Sequence, residues 1–206
     1  MTVLAPPAPR RLVLADRVLP RSVATDVVLV VVGAALVGLF AQLYVPLWPV
    51  PVTGQTLAVL LVGSALGAVR GGLALAAYAA LGVAGIPWFS EASSGWGVLA
   101  GPTGGYIIGF IVAAALTGWL AGRTWDRTVW KALACFGAGT LSTFAIGLPW
   151  LAVFLGSVGA PNDLASVLAA GFTPFLVGGV VKTAIAAGLL PLAWKAADRL
   201  PPRASR

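Results

Sequence analysis

Long apolar segments alternate with short polar or glycine-rich loops along nearly the whole chain. Between Asp26 and Arg123, the only charged residues are Arg70 and Glu91. A membrane-spanning helix needs about 20 mostly apolar residues. The pattern therefore predicts an all-α integral membrane protein with six transmembrane helices, at about 23–44, 57–69, 73–81, 106–121, 132–155 and 174–194. The second and third segments are short, which suggests kinked helices or irregular backbone buried within the protein.

The loops between these segments are unusual in composition. The first, YVPLWPVPVTGQT, is rich in proline, and the sequence between spans three and four is rich in glycine, serine and aromatic residues. Such a composition does not favour one continuous helix. Pro149 lies within the fifth span, where we expect it to kink or end the helix.

Composition excludes several classes of protein. The chain has 206 residues, 59% of them hydrophobic and 9% charged, with no histidine and one cysteine, Cys135. Six spans leave no room for a separate soluble domain such as an ATPase module. One cysteine without histidine cannot form an internal disulfide or a metal cluster. A membrane enzyme would need clustered acids, bases or a metal, and the sequence offers none. We therefore predict no metal and no bound cofactor.

Basic residues predict the orientation in the membrane. With the N-terminus in the cytoplasm, every Lys and Arg except Lys182 falls on the cytoplasmic side, whereas the opposite loops carry only Glu91 and Asp163. The prediction is N-in/C-in. The net charge of +7 then serves the membrane surface rather than nucleic acid. We expect a cytoplasmic segment 1–22, forming an interfacial helix or a disordered tail, a membrane domain 23–195, and a cytoplasmic tail 196–206.

Lys182 is the strongest candidate for a functional residue. It lies about eight residues, or ~12 Å, below the outer end of the sixth predicted span. A free ammonium in hydrocarbon costs roughly 2.5–3.5 kcal/mol, so a buried lysine needs a partner. A ligand is the functional interpretation, and snorkelling to an interface is the alternative.

Polar and aromatic residues of the outer loops complete the candidate site. We expect an outward-opening cup above Lys182 for a small, partly apolar molecule with an anionic or hydrogen-bonding group. Glu91 could equally be solvated, and the tryptophans could be interfacial belt residues. The candidate lining residues are Thr53, Gln55, Trp88, Phe89, Glu91, Trp96 and Tyr106.

Five strings in this order resemble one family. PVPVTGQT, GVAGIPWF, GVLAGPTGGY, GLPWL and TPFLVGGVVK are similar to the BioY family, the biotin-specific S components of energy-coupling-factor (ECF) vitamin transporters, and the resemblance covers residues 23–195. It implies a six-helix S component in the bacterial plasma membrane that binds biotin and mediates its uptake. It also implies a transmembrane coupling subunit and two cytoplasmic ATPases that use ATP.

One position departs from the family pattern. The family usually has an Asp three residues before the lysine, and this chain has Gly179 there. Lys182 therefore needs another acceptor, and Glu91 or Gln55 is the expected one. The departure keeps an S component for a different small vitamin or solute as an alternative. A solitary biotin transporter is a further alternative, since some BioY proteins are thought to work without dedicated partners.

The first span carries small residues at Ala34 and Gly38, four positions apart. Small residues let helix backbones approach closely in lipid. The resemblance implies that this face docks the coupling subunit, and packing inside the bundle is an equally open interpretation.

Overall fold

The computed structural model describes residues 13–200, and this part of the chain is mostly helical. Two short strands, β1 and β2, pair antiparallel between the second and third helices. The strands are β1 Tyr44–Val45 and β2 Val52–Thr53, and a single 3-10 turn covers Ser90–Ala92. The helices are α1 Leu14–Val18, α2 Val23–Ala41, α3 Gln55–Leu66, α4 Ala68–Val83, α5 Trp96–Ala100, α6 Gly104–Ala121, α7 Val129–Ser157, α8 Leu164–Gly171 and α9 Phe175–Asp198.

Four of the described helices, α2, α6, α7 and α9, are long and apolar enough to cross a membrane, and α3 and α4 are shorter apolar helices. On α2, valines that would be unfavourable at a water-exposed surface remain exposed, including Val27 and Val31. Such side chains are stable where lipid covers them. The chain is therefore a multi-pass membrane protein.

The structure departs from the sequence predictions at the α3–α4 break, in the β1–β2 ribbon and at α8, and it decides between two expectations at Pro149. The break between α3 and α4 falls at Gly67, whose φ of 89° is in the left-handed region that glycine tolerates, rather than at Gly71-Gly72. Helix α7 continues through Pro149, which therefore does not end it. The β1–β2 ribbon and the short helix α8 were not predicted from the sequence; the Asp163 side chain caps α8 by accepting from Ala165 and Ser166.

Helix α6 lies at the centre of the bundle and packs against α3, α4 and α7. Glycines allow the closest of these approaches. A Cβ added at Gly118 of α6 would lie 2.3 Å from the backbone carbon of Gly67 and 2.4 Å from the nitrogen of Ala68. The start of α4 therefore rests directly on the α6 backbone.

Charged residues collect at one end of the bundle, where α1 meets the starts of α2 and α4. Asp16 forms ion pairs with Arg21 and Arg70, and Arg70 also pairs with Asp26 at 2.7 Å. Burial raises the pKa of Asp16, but the hydrogen bonds and charges of Arg21 and Arg70 outweigh it, so the pKa lies below its ordinary value. These pairs tie α1 and the residues just after it to the helical bundle.

The end of α9 is anchored at the same end. Asp126, in the loop before α7, is fully buried and accepts a 2.6 Å hydrogen bond from the Trp194 indole nitrogen. Burial raises the pKa of Asp126, and the Trp194 hydrogen bond opposes part of that rise. Arg17 of α1 donates to the Leu200 carbonyl just beyond α9. Both termini of the described chain therefore lie at the charged end.

The small-residue face of α2 points into the protein. Ala34 is 1% exposed, and a Cβ added at Gly38 would lie 3.1 Å from the Cβ of Trp88. Of the two interpretations of this face, the structure favours packing inside the bundle over docking of another subunit, because no partner can reach buried positions without displacing α4 or Trp88.

We expect Ala34→Trp to destabilise the protein, whereas Val31→Trp on the exposed side of the same helix should not. Overpacking a close helix contact costs typically about 1–3 kcal/mol. Thermal unfolding of both variants in the same detergent measures the difference. Equal stability of the two variants would contradict packing inside the bundle and would restore the docking interpretation.

Candidate ligand-binding site

A cavity of about 230 Å³ opens at the end of the bundle opposite the charged cluster. The β1–β2 ribbon, the segment between α4 and α6, and the first turns of α6 and α9 enclose it. Its volume lies just below the range of about 300–1,000 Å³ that is common for small-molecule sites. Six aromatic rings contribute to the wall, those of Tyr78, Phe89, Tyr106, Phe110, Phe144 and Phe175.

Lys182 lines this cavity, on the second turn of α9. Its side chain is half-buried, and its Nζ donates a 2.5 Å hydrogen bond to the backbone carbonyl of Thr53. The expected acceptors, Glu91 and Gln55, are not the ones observed. Among residues 13–200, no carboxylate forms an ion pair with Lys182, and the Gln55 side chain bonds to Thr53 and Tyr78 instead. The ammonium uses one of its three protons on Thr53, which leaves donors for a ligand.

Thr53 and Gln55 form a buried polar network beside Lys182. The Thr53 hydroxyl donates to Gln55 Oε1 at 2.9 Å, and Gln55 Nε2 donates to the Tyr78 hydroxyl at 2.6 Å. Gln55 is 6% exposed, so these bonds replace the hydrogen bonds to water that its side chain loses on burial. The network fixes Gln55 in one orientation at the start of α3.

Tyr106 contributes its ring rather than its hydroxyl. The hydroxyl donates to the Gly171 carbonyl at 2.9 Å, at the end of α8. The ring stacks on Phe175 with a centroid separation of 6.1 Å and an interplanar angle of 19°. Tyr106 therefore offers the cavity a flat, apolar surface.

The Gly-rich turn before Tyr106 is held against α7. A Cβ added at Gly105 would lie 2.3 Å from the Trp150 Cβ, and the Trp150 indole donates to the Gly101 carbonyl at 2.9 Å. Glycine is required there because any side chain would overlap the Trp150 side chain, whose Cγ would lie 2.7 Å from the added Cβ. The string GPTGGY thus positions both the start of α6 and the cavity wall.

Phe89 and Glu91 lie on the segment that follows α4. Phe89 is 1% exposed and meets the Tyr78 ring edge-on at 5.3 Å, whereas Glu91 is exposed at the cavity mouth. Glu91 and Ala92 have φ angles of 62° and 51°, unusual for residues other than glycine.

Trp88 and Trp96, both predicted to line the site, lie outside the cavity. The Trp88 indole donates to the Tyr78 backbone carbonyl at 2.9 Å, and its ring packs against α2 at Gly38, behind the wall. Trp96 is 67% exposed at the start of α5. The structure therefore removes both tryptophans from the candidate lining.

Sequence reasoning missed much of the lining, including the hydroxyls of Thr56 and Ser90 and the rings of Tyr78, Phe110, Phe144 and Phe175. The side-chain oxygens of Thr56 and Ser90 are buried without a protein partner, and both residues line the cavity. Phe144 and Phe175 form part of its aromatic wall. The strings PVTGQT and TPFLVGGVVK contain Thr56 and Phe175, but a sequence does not separate cavity-facing from lipid-facing apolar residues.

Comparison with known proteins gives one family. A sequence profile described as the BioY family matches residues 12–199. Biotin transporter BioY2 of Lactococcus lactis subsp. cremoris is 37% identical over 154 residues, which is 75% of this chain and 81% of that protein. The probable biotin transporter BioY of Pyrococcus horikoshii is 39% identical over 163 residues, covering 79% of this chain and 92% of the relative.

A solved structure shares the fold. The crystal structure of the S component for biotin from an ECF-type ABC transporter superposes with a TM-score of 0.70. The match covers 84% of this chain and 92% of that chain, at 22% sequence identity. At this identity the likeness establishes the architecture of the helical bundle, and residue roles have to be argued from the site itself.

Proposed function

This chain belongs to the BioY family, and from that premise we propose that it is a membrane subunit that binds biotin and mediates biotin uptake. The relatives are named biotin transporters, so the function is transport rather than catalysis. The bound substrate is biotin, which has a carboxylate, a ureido group and an otherwise apolar frame.

The arrangement around Lys182 carries the proposal. A half-buried ammonium, two unpartnered hydroxyls at Thr56 and Ser90, and an aromatic wall meet in one cavity. These groups complement a ligand that is apolar in the middle and polar at its ends, because buried polar groups need hydrogen-bond partners. Thr53, Gln55, Phe89, Glu91 and Tyr106 complete the proposed site.

Calorimetric titration of the purified protein in detergent tests the substrate. We expect saturable, stoichiometric binding of biotin and none of thiamine or riboflavin. A well-folded protein that binds another vitamin and not biotin would support the alternative of an S component for a different solute. Gly179 keeps this alternative open, since a Cβ added there meets nothing within 4 Å and the region beside Lys182 could accommodate other polar groups.

The proposed topology has six spans, with both termini in the cytoplasm and the cavity facing outward. It treats α2, α3, α4, α6, α7 and α9 as the spans, within a membrane domain 23–195. The separation of the cavity from the end that holds Arg17, Arg70 and Arg127 supports it, because basic residues favour the cytoplasmic side. In a bacterial cell this membrane is the plasma membrane.

Cysteine labelling tests this orientation. Ser94→Cys near the cavity mouth should react with a membrane-impermeant maleimide in intact cells, whereas Thr128→Cys should react only after permeabilisation. Both positions are exposed, and the native Cys135 is buried and adds little background. Labelling of Thr128→Cys in intact cells, with Ser94→Cys protected, would reverse the topology.

Energy for uptake comes from partners under this proposal. An S component has no ATPase of its own, so a transmembrane coupling subunit and two cytoplasmic ATPases would supply ATP-driven transport. The family assignment and the shared fold support this assembly. Co-purification of the tagged chain with the three partners tests it. Uptake in a host that lacks all three would instead support a solitary transporter.

A further inference from the structure

The Gln42 side chain joins the end of α2 to the segment that follows α4. Its Nε2 lies 3.0 Å from the Phe89 carbonyl oxygen and 3.1 Å from that of Trp88, and it also donates to Gly38 within α2 at 3.1 Å. Its Oε1 accepts from the Ala92 amide at 3.1 Å. One amide therefore contacts both ends of a five-residue segment, 88–92.

This segment has a backbone that does not form readily without support. Glu91 and Ala92 are consecutive residues in the left-handed region, with φ angles of 62° and 51°. Each such residue other than glycine is disfavoured, and a conformation of this kind persists where its surroundings hold it. The Gln42 amide bonds to this backbone at Trp88, Phe89 and Ala92, whereas the Tyr78 hydroxyl of α4 reaches only the Trp88 carbonyl, at 3.4 Å.

The same segment supplies part of the cavity. Phe89, Ser90 and Glu91 line it, with the Phe89 ring buried against Tyr78 and the Ser90 hydroxyl buried without a partner. Gln42 itself is absent from the lining. It therefore does not contact a ligand directly, but its bonds to Trp88, Phe89 and Ala92 hold the two ends of the segment that carries these lining residues.

We propose that Gln42 is a positioning residue for the binding site, holding segment 88–92 in the shape that presents Phe89, Ser90 and Glu91 to the ligand. The inference rests on the proposed function of this cavity. The sequence gives no sign of this role, because Gln42 is a single glutamine at the end of an apolar span and the segment it bonds to lies 46–50 residues further along the chain.

Gln42→Ala tests the proposal, with Asn162→Ala as the matched control. Asn162 is also an amide that donates to a backbone carbonyl of another element, that of Ala152 in α7, and it does not line the cavity. We expect Gln42→Ala to raise the Kd for biotin about tenfold, mainly through faster dissociation. Without Gln42, segment 88–92 has to be ordered when the ligand binds, and this ordering reduces the affinity. Asn162→Ala should leave the Kd within about twofold.

Hydrogen exchange without ligand gives a second, independent result. In Gln42→Ala, amides of residues 88–93 should exchange faster, while those of α6 and α7 should be unchanged. Faster exchange throughout the protein would mean a general structural role and would overturn the proposal. Because this measurement uses no biotin, it still tests whether Gln42 holds segment 88–92 even if the wild type binds a different solute.

A rescue variant separates positioning from simple loss of stability. Ala92→Gly removes the steric cost of the left-handed conformation at that residue. Added to Gln42→Ala, it should recover about threefold of the lost affinity and slow the exchange of segment 88–93. If the double variant binds no better than Gln42→Ala, or if Gln42→Ala binds like the wild type despite faster local exchange, the proposal is wrong.

Discussion

Replacing Lys182 with methionine is expected to weaken biotin binding about ten- to a hundredfold. The ammonium lines the cavity and has donors left after its bond to the Thr53 carbonyl. A charge-assisted hydrogen bond to either oxygen-bearing end of biotin is worth roughly 1.5–3 kcal/mol. Since 1.4 kcal/mol corresponds to a factor of ten, its loss gives the stated range. Methionine keeps most of the apolar volume, so the cavity should not collapse.

Calorimetry on three variants separates binding from folding. Lys195→Met, at the charged end of α9, serves as the control for losing one lysine on the same helix, and should bind like the wild type. Lys182→Met also leaves the Thr53 carbonyl without its donor, so its thermal unfolding must be measured alongside. Lys182→Arg keeps the charge and should retain more affinity than Lys182→Met. Unchanged affinity in a folded Lys182→Met protein would remove this residue from the site.

A biotin derivative identifies which end of the ligand meets Lys182. Biotinamide lacks the negative charge of the tail but keeps the ureido group. If Lys182 contacts the carboxylate, biotinamide should bind the wild type weakly, and Lys182→Met should reduce the affinity for biotinamide only slightly further. If Lys182 contacts the ureido oxygen, both ligands should lose affinity equally on substitution.

The candidate site was predictable where an unusual residue type stood in an apolar context. Lys182, Gln55 and Glu91 are polar or charged residues within or beside apolar segments, and all three line the cavity. Desolvation makes such residues costly, so their presence points to a function or a partner. Which partner each residue has depends on three-dimensional contacts, and the Thr53 carbonyl that Lys182 meets carries no signal in the sequence.

Aromatic residues were less predictable for a physical reason. A tryptophan near the end of a span is equally stable in a cavity wall, at the membrane interface or packed behind a loop. For Trp88, the deciding factor is its indole N–H, which donates to the Tyr78 carbonyl and turns the ring towards α2. Phe144 and Phe175 were missed for a different reason. A phenylalanine in an apolar span is as stable facing lipid as it is facing a cavity, so its type does not show which it faces.

Helix boundaries depended on packing that local sequence does not contain. Gly67, Gly71 and Gly72 are each able to end a short helix, and the sequence favoured the pair. The structure breaks at Gly67 because α4 starts there against the α6 backbone, while Gly71 contacts Gly63 across the α3–α4 junction. Tertiary contact therefore selects among glycines that look equivalent along the chain.

That contact leads to the second large effect: Gly118→Val should abolish folding of the bundle. A Cβ at this position would lie 2.3 Å from the Gly67 carbon, 2.4 Å from the Ala68 nitrogen and 2.6 Å from the Gly63 carbonyl oxygen. All three are backbone atoms, which cannot move aside like the end of a side chain. The cost should exceed the roughly 1–3 kcal/mol typical of overpacking, because α3 and α4 would both have to separate from α6.

The consequence should reach the cavity, since α3 begins at Gln55 and α6 begins two residues before Tyr106. Separating these helices would pull two walls of the site apart. Gly137→Val on α7 is the matched control. It makes the same change of residue type within a helix, but a Cβ there meets nothing within 4 Å. Size-exclusion profiles and thermal unfolding in detergent should show a monodisperse Gly137→Val protein and little folded Gly118→Val. A stable Gly118→Val protein that still binds biotin would mean that the α3–α4 junction tolerates displacement from α6, and that the helices do not fix the site through this contact.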